Sequence, residues 1–139
     1  MTSPAQGQGS TVVVGAVLRD SASTAFFSGT ACGHLPLSRC GQGHWSRLDS
    51  ESCETCGDPD LREEPASGRA RVVSWTIVHR RGQPLSVVVL AELAEGPWWW
   101  SHLVGDHDAI IEGADLTIEF QRADPDSESV PVFCLDRLL

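Results

Sequence analysis

The chain has 139 residues, enough for one ordinary domain or for two very small modules sharing a core, and too few for a multidomain enzyme. Nineteen acidic residues against 10 basic ones give a formal charge of −9, and every basic residue is Arg. That field repels phosphate backbones, so nucleic-acid binding would need a very local Arg cluster.

Hydrophobic residues make up 41% of the chain, with 13 Gly and 8 Pro, a mixture that suits short strands and turns and points to an all-β fold. No stretch approaches the roughly 20 apolar residues of a membrane span, and the N-terminus lacks the basic and apolar regions of a signal peptide. A cytoplasmic protein is expected. There, five cysteines read as metal ligands or buried thiols rather than as a disulfide framework.

Residues 1–10 have the Gly/Ser/Gln/Pro composition of a frayed terminus, and residues 11–18, with Val12, Val13 and Val14, suit a short strand or an extended arm lying on a partner. Together 1–19 form a flexible N-terminal arm. Asp20 or Ser21 can cap a short helix through Ala25, Phe26 and Phe27 that ends at Gly29 or Gly33. A strand is expected over 35–39. Residues 40–60, rich in Gly, Ser, Asp and Cys, cannot make a core of their own, and a metal is the natural substitute.

From Gly68 the pattern changes to strands and turns. The runs are 71–79, 85–93, 98–104, 116–121 and 130–135, and the fourth is the plainest: Leu116, Ile118 and Phe120 alternate with Thr117, Glu119 and Gln121. Residues 106–111 can form about one helical turn, stopped by Gly113. Five strands with a small helix between the third and fourth is the arrangement of an OB barrel, and a sandwich fragment is the alternative. The expected fold is mainly β, with a helix and ribbon-like module over 20–66 and an OB domain over 67–139.

Cys53-x-x-Cys56-Gly57 has the form of a metal knuckle, in which a tight turn brings two thiolates to bite distance and aims backbone amides at them. Cys40 stands where the first ligand of a second half-site belongs, but Gly43 occupies the place of its partner. His44 could complete a three-thiolate, one-imidazole zinc site, as could His34 or Cys32 if the chain folded back. A metal-free knuckle held by packing is the other reading. Cys134 alternates with Val130 and Val132 and reads as a small buried apolar residue.

In the run Trp98-Trp99-Trp100 a strand sends Trp98 and Trp100 to one face and Trp99 to the other, so at least one indole is exposed or at an interface. OB barrels stack ligands on aromatics of their second and third strands, while an aromatic run in a small domain also fills cores and subunit interfaces. Trp75 lies in the first barrel strand with Val73, Ile77 and His79 on its face. His79-Arg80-Arg81 is the one dense basic cluster of this half; it can meet a ligand phosphate or stand solvated beside a turn. His102, Asp106, His107 and Asp108 have no established ligand geometry and no nucleophile nearby, and they read as turn-capping residues.

The order helix, Phe26-Phe27, Cys40, Cys53-x-x-Cys56, Gly68, then Ser74-Trp75-Thr76-Ile77-Val78-His79, Glu95-Gly96-Pro97, Ile111-x-Gly113 and Leu116-x-Ile118-x-Phe120 resembles one family. These are the acyl-CoA-associated OB-fold proteins with an N-terminal rubredoxin-like zinc ribbon, domain of unknown function thirty-five, and the resemblance covers about residues 20–135. It implies a non-catalytic accessory subunit of a thiolase-fold enzyme, of thiolase, acyltransferase or aldolase type, including those of steroid and aromatic side-chain breakdown. In that setting the barrel helps to hold CoA, with Trp75, His79 and Arg80 as candidate contacts. The ribbon, with Cys40, Cys53, Cys56 and His44 as candidate zinc ligands, docks the partner. A single-stranded nucleic-acid-binding OB protein is the alternative.

Overall fold

The computed structural model describes residues 12–105 and 107–136. Residues 12–20 carry no regular secondary structure but are fastened to the rest of the chain: Val13 N–H donates to Gln121 Oε1 (2.9 Å), Glu128 N–H donates to Val17 O (2.8 Å), and Arg19 pairs with Glu128 (2.7 Å). The segment lies on the chain's own barrel.

One helix follows, α1 (Thr24–Ala31). Its first turn is preceded by an Asp20–Ser23 turn, in which the Asp20 carboxylate accepts from Ser23 N–H (3.0 Å) and Ser23 Oγ (2.9 Å). At its other end His34 N–H reaches Gly29 O (3.2 Å) and Gly33 N–H reaches Thr30 O (2.9 Å), a paired closure that requires the left-handed backbone of Gly33, φ 86°. Gly29 packs flat against Pro36: an added Cβ would lie 2.8 Å from its ring.

The ribbon is a three-stranded antiparallel sheet in the order β2-β1-β3, with β1 at Pro36–Cys40, β2 at Trp45–Ser46 and β3 at Leu61–Pro65. The sequence pattern points to β1 alone. β2 has only two residues, and β3, Leu61-Arg-Glu-Glu-Pro65, is charged because it is held by backbone pairing to β1 rather than by a buried face.

The five barrel strands are β4 (Arg69–Val78), β5 (Ser86–Leu93), β6 (Trp98–Val104), β7 (Asp115–Gln121) and β8 (Val130–Leu135), with a 3-10 turn at His107–Ala109 between β6 and β7. They close in the order β4-β5-β6-β8-β7, with β6 and β8 parallel and all other pairs antiparallel. This is the OB arrangement. Each strand follows its expected run to within two residues.

Inward side chains of all five strands form the core, among them Val89, Leu93, Leu103, Leu116 and Phe133 at 4% exposure or less. Leu35 (1%) and Leu37 (0%), at the ribbon's entry, belong to the same cluster, so the two modules share one interior. The helix joins it through Phe26, stacked on Trp99 with ring centroids 5.5 Å apart.

Strand β4 contains a bulge between Val72 and Ser74. Before it, Ala70 (5%) and Val72 (3%) face inward; beyond it Trp75 stands opposite Val89 and Ile77 opposite Val87, so inward residues switch from even to odd numbers. Without the bulge, Trp75 and Ile77 would point outward.

Burial this complete gives a measurable contrast. Phe133→Ala should cost about 3–5 kcal/mol in chemical denaturation, whereas Trp98→Ala, at a residue 52% exposed, should cost less than about 1 kcal/mol.

Candidate metal centre and barrel surface

Cys40 ends β1, and the chain then turns back so that Gly43 N–H donates to Cys40 O and Cys40 N–H to His44 O, each at 3.0 Å. Gly43 takes φ 91°, a conformation that side chains rarely adopt, and Arg39 holds the turn by donating from Nε to its carbonyl (3.2 Å) while its guanidinium lies over the Trp45 ring (4.7 Å). This closure brings the His44 ring beside the Cys40 sulfur. The glycine that removes one thiol makes the turn that presents an imidazole instead.

The second half-site is Cys53-Glu-Thr-Cys56, closed by Gly57 N–H to Cys53 O (2.9 Å) and Cys53 N–H to Asp58 O (2.8 Å). Ser46, fully buried, braces it by accepting Glu54 N–H on its Oγ (3.0 Å). Backbone amides are aimed at the sulfurs: Gln42 N–H at Cys40 Sγ (3.3 Å), and Thr55 N–H (3.3 Å) and Cys56 N–H (3.4 Å) at Cys53 Sγ.

The ligand atoms of Cys40, His44, Cys53 and Cys56 all lie within 4.8 Å of one another. Cys40 Sγ is 3.8 Å from Cys56 Sγ and 3.5 Å from His44 Nδ1. A tetrahedron with metal–sulfur bonds of about 2.3 Å and metal–nitrogen bonds of about 2.0–2.1 Å has edges of about 3.8 Å and about 3.5 Å. The cluster therefore can hold a metal ion, with donors of the kind zinc takes. Cys32, exposed at the end of α1, and His34 are outside it.

Burial pushes the Cys53 thiol up, but the amides of Cys56 and Thr55 and the neighbouring sulfurs outweigh it and bring the thiol down to about 6. For Cys56 the amide of Asp58 pulls down, while loss of water and the Cys53 and Cys40 sulfurs push up, and the net shift is upward. At neutral pH Cys53 is a thiolate and Cys56 must give up its proton to a metal.

On the barrel, Trp75 (38% exposed) and Ile77 (40%) face inward at the rim, where β4 runs past its last partner residue on β7. His79 and Arg80 follow the end of that strand and are exposed. The three candidate CoA contacts thus occupy one end of the barrel. His102 is outward on β6 opposite Val88, and His107 Nε2 lies 3.4 Å from Asp108 Oδ1; Asp106 is outside the described residues. Cys134 is half-buried on β8, its thiol pushed up to about 11 by burial and by the Glu119 carboxylate, which leaves it unreactive.

Trp98 and Trp100 are 52% and 61% exposed, and Trp99 packs inward, the division that strand alternation requires. No helix among the described residues is long and apolar enough to cross a membrane.

Residues 63–121 match the family model of the ChsH2 C-terminal OB-fold domain. A chain of the Ltp2-ChsH2(DUF35) aldolase superposes with a TM-score of 0.69 at 28% identity, over 88% of this chain and 98% of that one. Both matches support a DUF35-family OB-fold protein. A DUF35 protein of unknown function from Sulfolobus solfataricus shares the fold at 17% identity, with a TM-score of 0.57 over 84% of this chain and 86% of that one. No curated protein matches.

Metal analysis of the purified chain should give about one ion per chain, and Cys53→Ser or His44→Ala should reduce it several-fold. Because protons compete for the thiolates, uptake should fall as pH drops through about 6, where Cys53 itself protonates, as an equilibrium titration with a chromophoric chelator would record.

Proposed function

We propose that the chain is a non-catalytic accessory subunit of a thiolase-fold acyl-CoA enzyme, of thiolase, acyltransferase or aldolase type, working in the cytoplasm. The observation that carries this reading is the match, over nearly its whole length, to a chain of the Ltp2-ChsH2(DUF35) aldolase, an assembly that pairs a DUF35 chain with Ltp2. Five free cysteines agree with a reducing compartment.

The ion of the ribbon is zinc in this reading, held by Cys40, His44, Cys53 and Cys56 as a closed four-ligand site, and its role is structural. Four protein donors leave no open position for a reacting water. The ribbon has little apolar interior beyond the residues it shares with the barrel, so the metal fixes its tip.

The barrel rim is the proposed CoA contact. Trp75 offers an indole face for the adenine, and Arg80, with His79 beside it, offers charge-assisted hydrogen bonds to phosphate in a chain that is otherwise strongly acidic. A single-stranded nucleic acid would have to run its phosphates along a protein of charge −9, which counts against that alternative.

Co-expression with the thiolase-fold chain of the same source tests the assignment. A stable heteromeric complex on size exclusion is the expected result, and two separately eluting proteins would refute it. Within the complex, Trp75→Ala and Arg80→Ala should each weaken CoA binding about 5- to 50-fold by calorimetry without dissociating the subunits.

A further inference from the structure

Closure removes the edges of the sheet only over its paired length, and β4 is longer than its partner β7. Their register ends at Arg71 opposite Asp115, and the last bonds on that side run from Gly113 N–H to Val72 O (2.9 Å) and from Val72 N–H to Ala114 O (3.0 Å). In an antiparallel ladder successive residues turn their backbone groups to opposite sides. On β5, Leu93 N–H bonds Pro97 O (2.9 Å), so odd-numbered residues of that strand turn to β6 and even-numbered ones to β4. Beyond the bulge Ser74, Thr76 and Val78 stand opposite Leu90, Val88 and Ser86 and share bonds with them. The N–H and C=O of Trp75 and Ile77 therefore point away from β5, and among the described residues nothing is bonded to them there.

This stretch is an unguarded edge. Native proteins blunt free edges with a charged side chain or a Pro, and residues 74–78, Ser-Trp-Thr-Ile-Val, carry neither. Ser74, Trp75, Thr76 and Ile77 are all exposed, so the strand stands in water on both faces as well as along its side. Such an edge is a template for one more strand, with backbone bonds supplying affinity and the alternate side chains supplying selectivity.

The strand that fits it is the same edge of a second copy. Run antiparallel about a two-fold axis through Thr76, Trp75 of one copy stands opposite Ile77 of the other, and every backbone group left open on both residues gains a partner. This register also sets indole against a β-branched aliphatic side chain on the inner side and threonine against threonine on the outer, both favourable cross-strand pairs. Charge agrees with it. The strand runs out into His79-Arg80-Arg81, and antiparallel pairing carries that basic tip to the far end of the copy's edge, where Gly113 and Ala114 close on Val72. Glu112 and Asp115 flank that closure and are exposed. Each copy thus offers a basic end and an acidic end, and the two-fold joins unlike ends twice, whereas a foreign strand would have to bring both charges itself. Repulsion between two chains of charge −9 is screened beyond about 8 Å in physiological salt, and the contacts inside that distance are the complementary ones. Because the contact uses up the edge on both copies, assembly stops at a dimer.

We propose that the chain associates with a second copy through this edge, the outer half of β4 in one molecule continuing the sheet of the other. Self-association of this kind goes beyond the accessory-subunit reading and does not depend on it. The pairing engages backbone groups of Trp75 and Ile77 and leaves their side chains at the mouth of the barrel, so the rims of the two copies lie side by side.

Analytical ultracentrifugation of the purified full chain, with no catalytic subunit present, tests it. A concentration-dependent dimer is expected, and a chain that stays monomeric up to about 1 mM overturns the proposal. Ile77→Pro removes an edge donor but no bond to β5, a substitution a strand tolerates where its N–H faces water. It should weaken the dimer at least about 30-fold, and Ile77→Val less than about 3-fold. Arg81→Glu and Glu112→Arg should each weaken it about 3- to 10-fold, and the two together in one chain should restore it, a rescue that a merely structural effect would not give. Far-ultraviolet circular dichroism and metal content establish that each variant is folded. An Ile77→Pro chain that is folded and dimerises like the wild type overturns the proposal, and so does a paired charge variant that recovers nothing. Amide exchange of the unmodified chain gives a reading independent of any variant. Protection of the Trp75 and Ile77 amides that rises with protein concentration is expected, and protection that does not change with concentration overturns the pairing.

Discussion

A single interior shared by two modules is the constraint on which the rest of the molecule depends. β1 is anchored at both ends: Leu37, with Leu35 just before the strand, enters the barrel core, and three residues beyond Leu37 Cys40 enters the Cys/His cluster. At about 3.4 Å per residue, one extended strand spans both. The ribbon need not fold alone, because its base is buried in its neighbour. Its distal end, where 40–60 has few apolar side chains, is out of reach of that core, and there the thiolate and imidazole donors gather. Hydrophobic burial organises one end of the strand, and the other ends in a donor cluster that can hold a metal ion.

The same interior explains the outside of the barrel. Closure removes the sheet's edges and forces each strand to divide its side chains between a packed inner face and an outer one. Where three tryptophans follow one another, alternation buries Trp99 against Phe26 and leaves Trp98 and Trp100 in water. The chain covers part of its outer surface itself, with α1 near β8 and the arm at the end of β7, and leaves the β4-β5-β6 side open.

Much of the barrel could be read from the amino-acid sequence because its strands are short apolar runs separated by turns marked by Gly or Pro, and 116–121 alternates plainly with period two. The helix was legible from its paired Phe residues and from Gly33, which ends it. β2 and β3 were not. Trp45–Ser46 is too short to show a period, and Leu61–Pro65 takes its structure from backbone pairing, which charged side chains do not disclose. In the metal cluster, Cys53 and Cys56 were evident from spacing, and Cys40 from its distance upstream. Among His44, His34 and Cys32 the sequence left the fourth donor open, and the Gly43 turn distinguishes them because it is what carries His44 to the cluster. Amides that point at sulfur, such as those of Gln42 and Thr55, leave no trace in residue identity.

The bulge in β4 also has no sequence mark, for Val73 reads like any strand residue. It divides the strand into two stretches under different selection. Up to Val72, each inward side chain must fit a filled interior, and its volume is dictated by neighbours on four other strands. From Ser74 onward the inward positions open onto the rim, and their side chains answer to whatever arrives there. One strand can thus retain its packing half unchanged while its rim half is rewritten, which is how a small barrel could exchange one ligand for another without refolding.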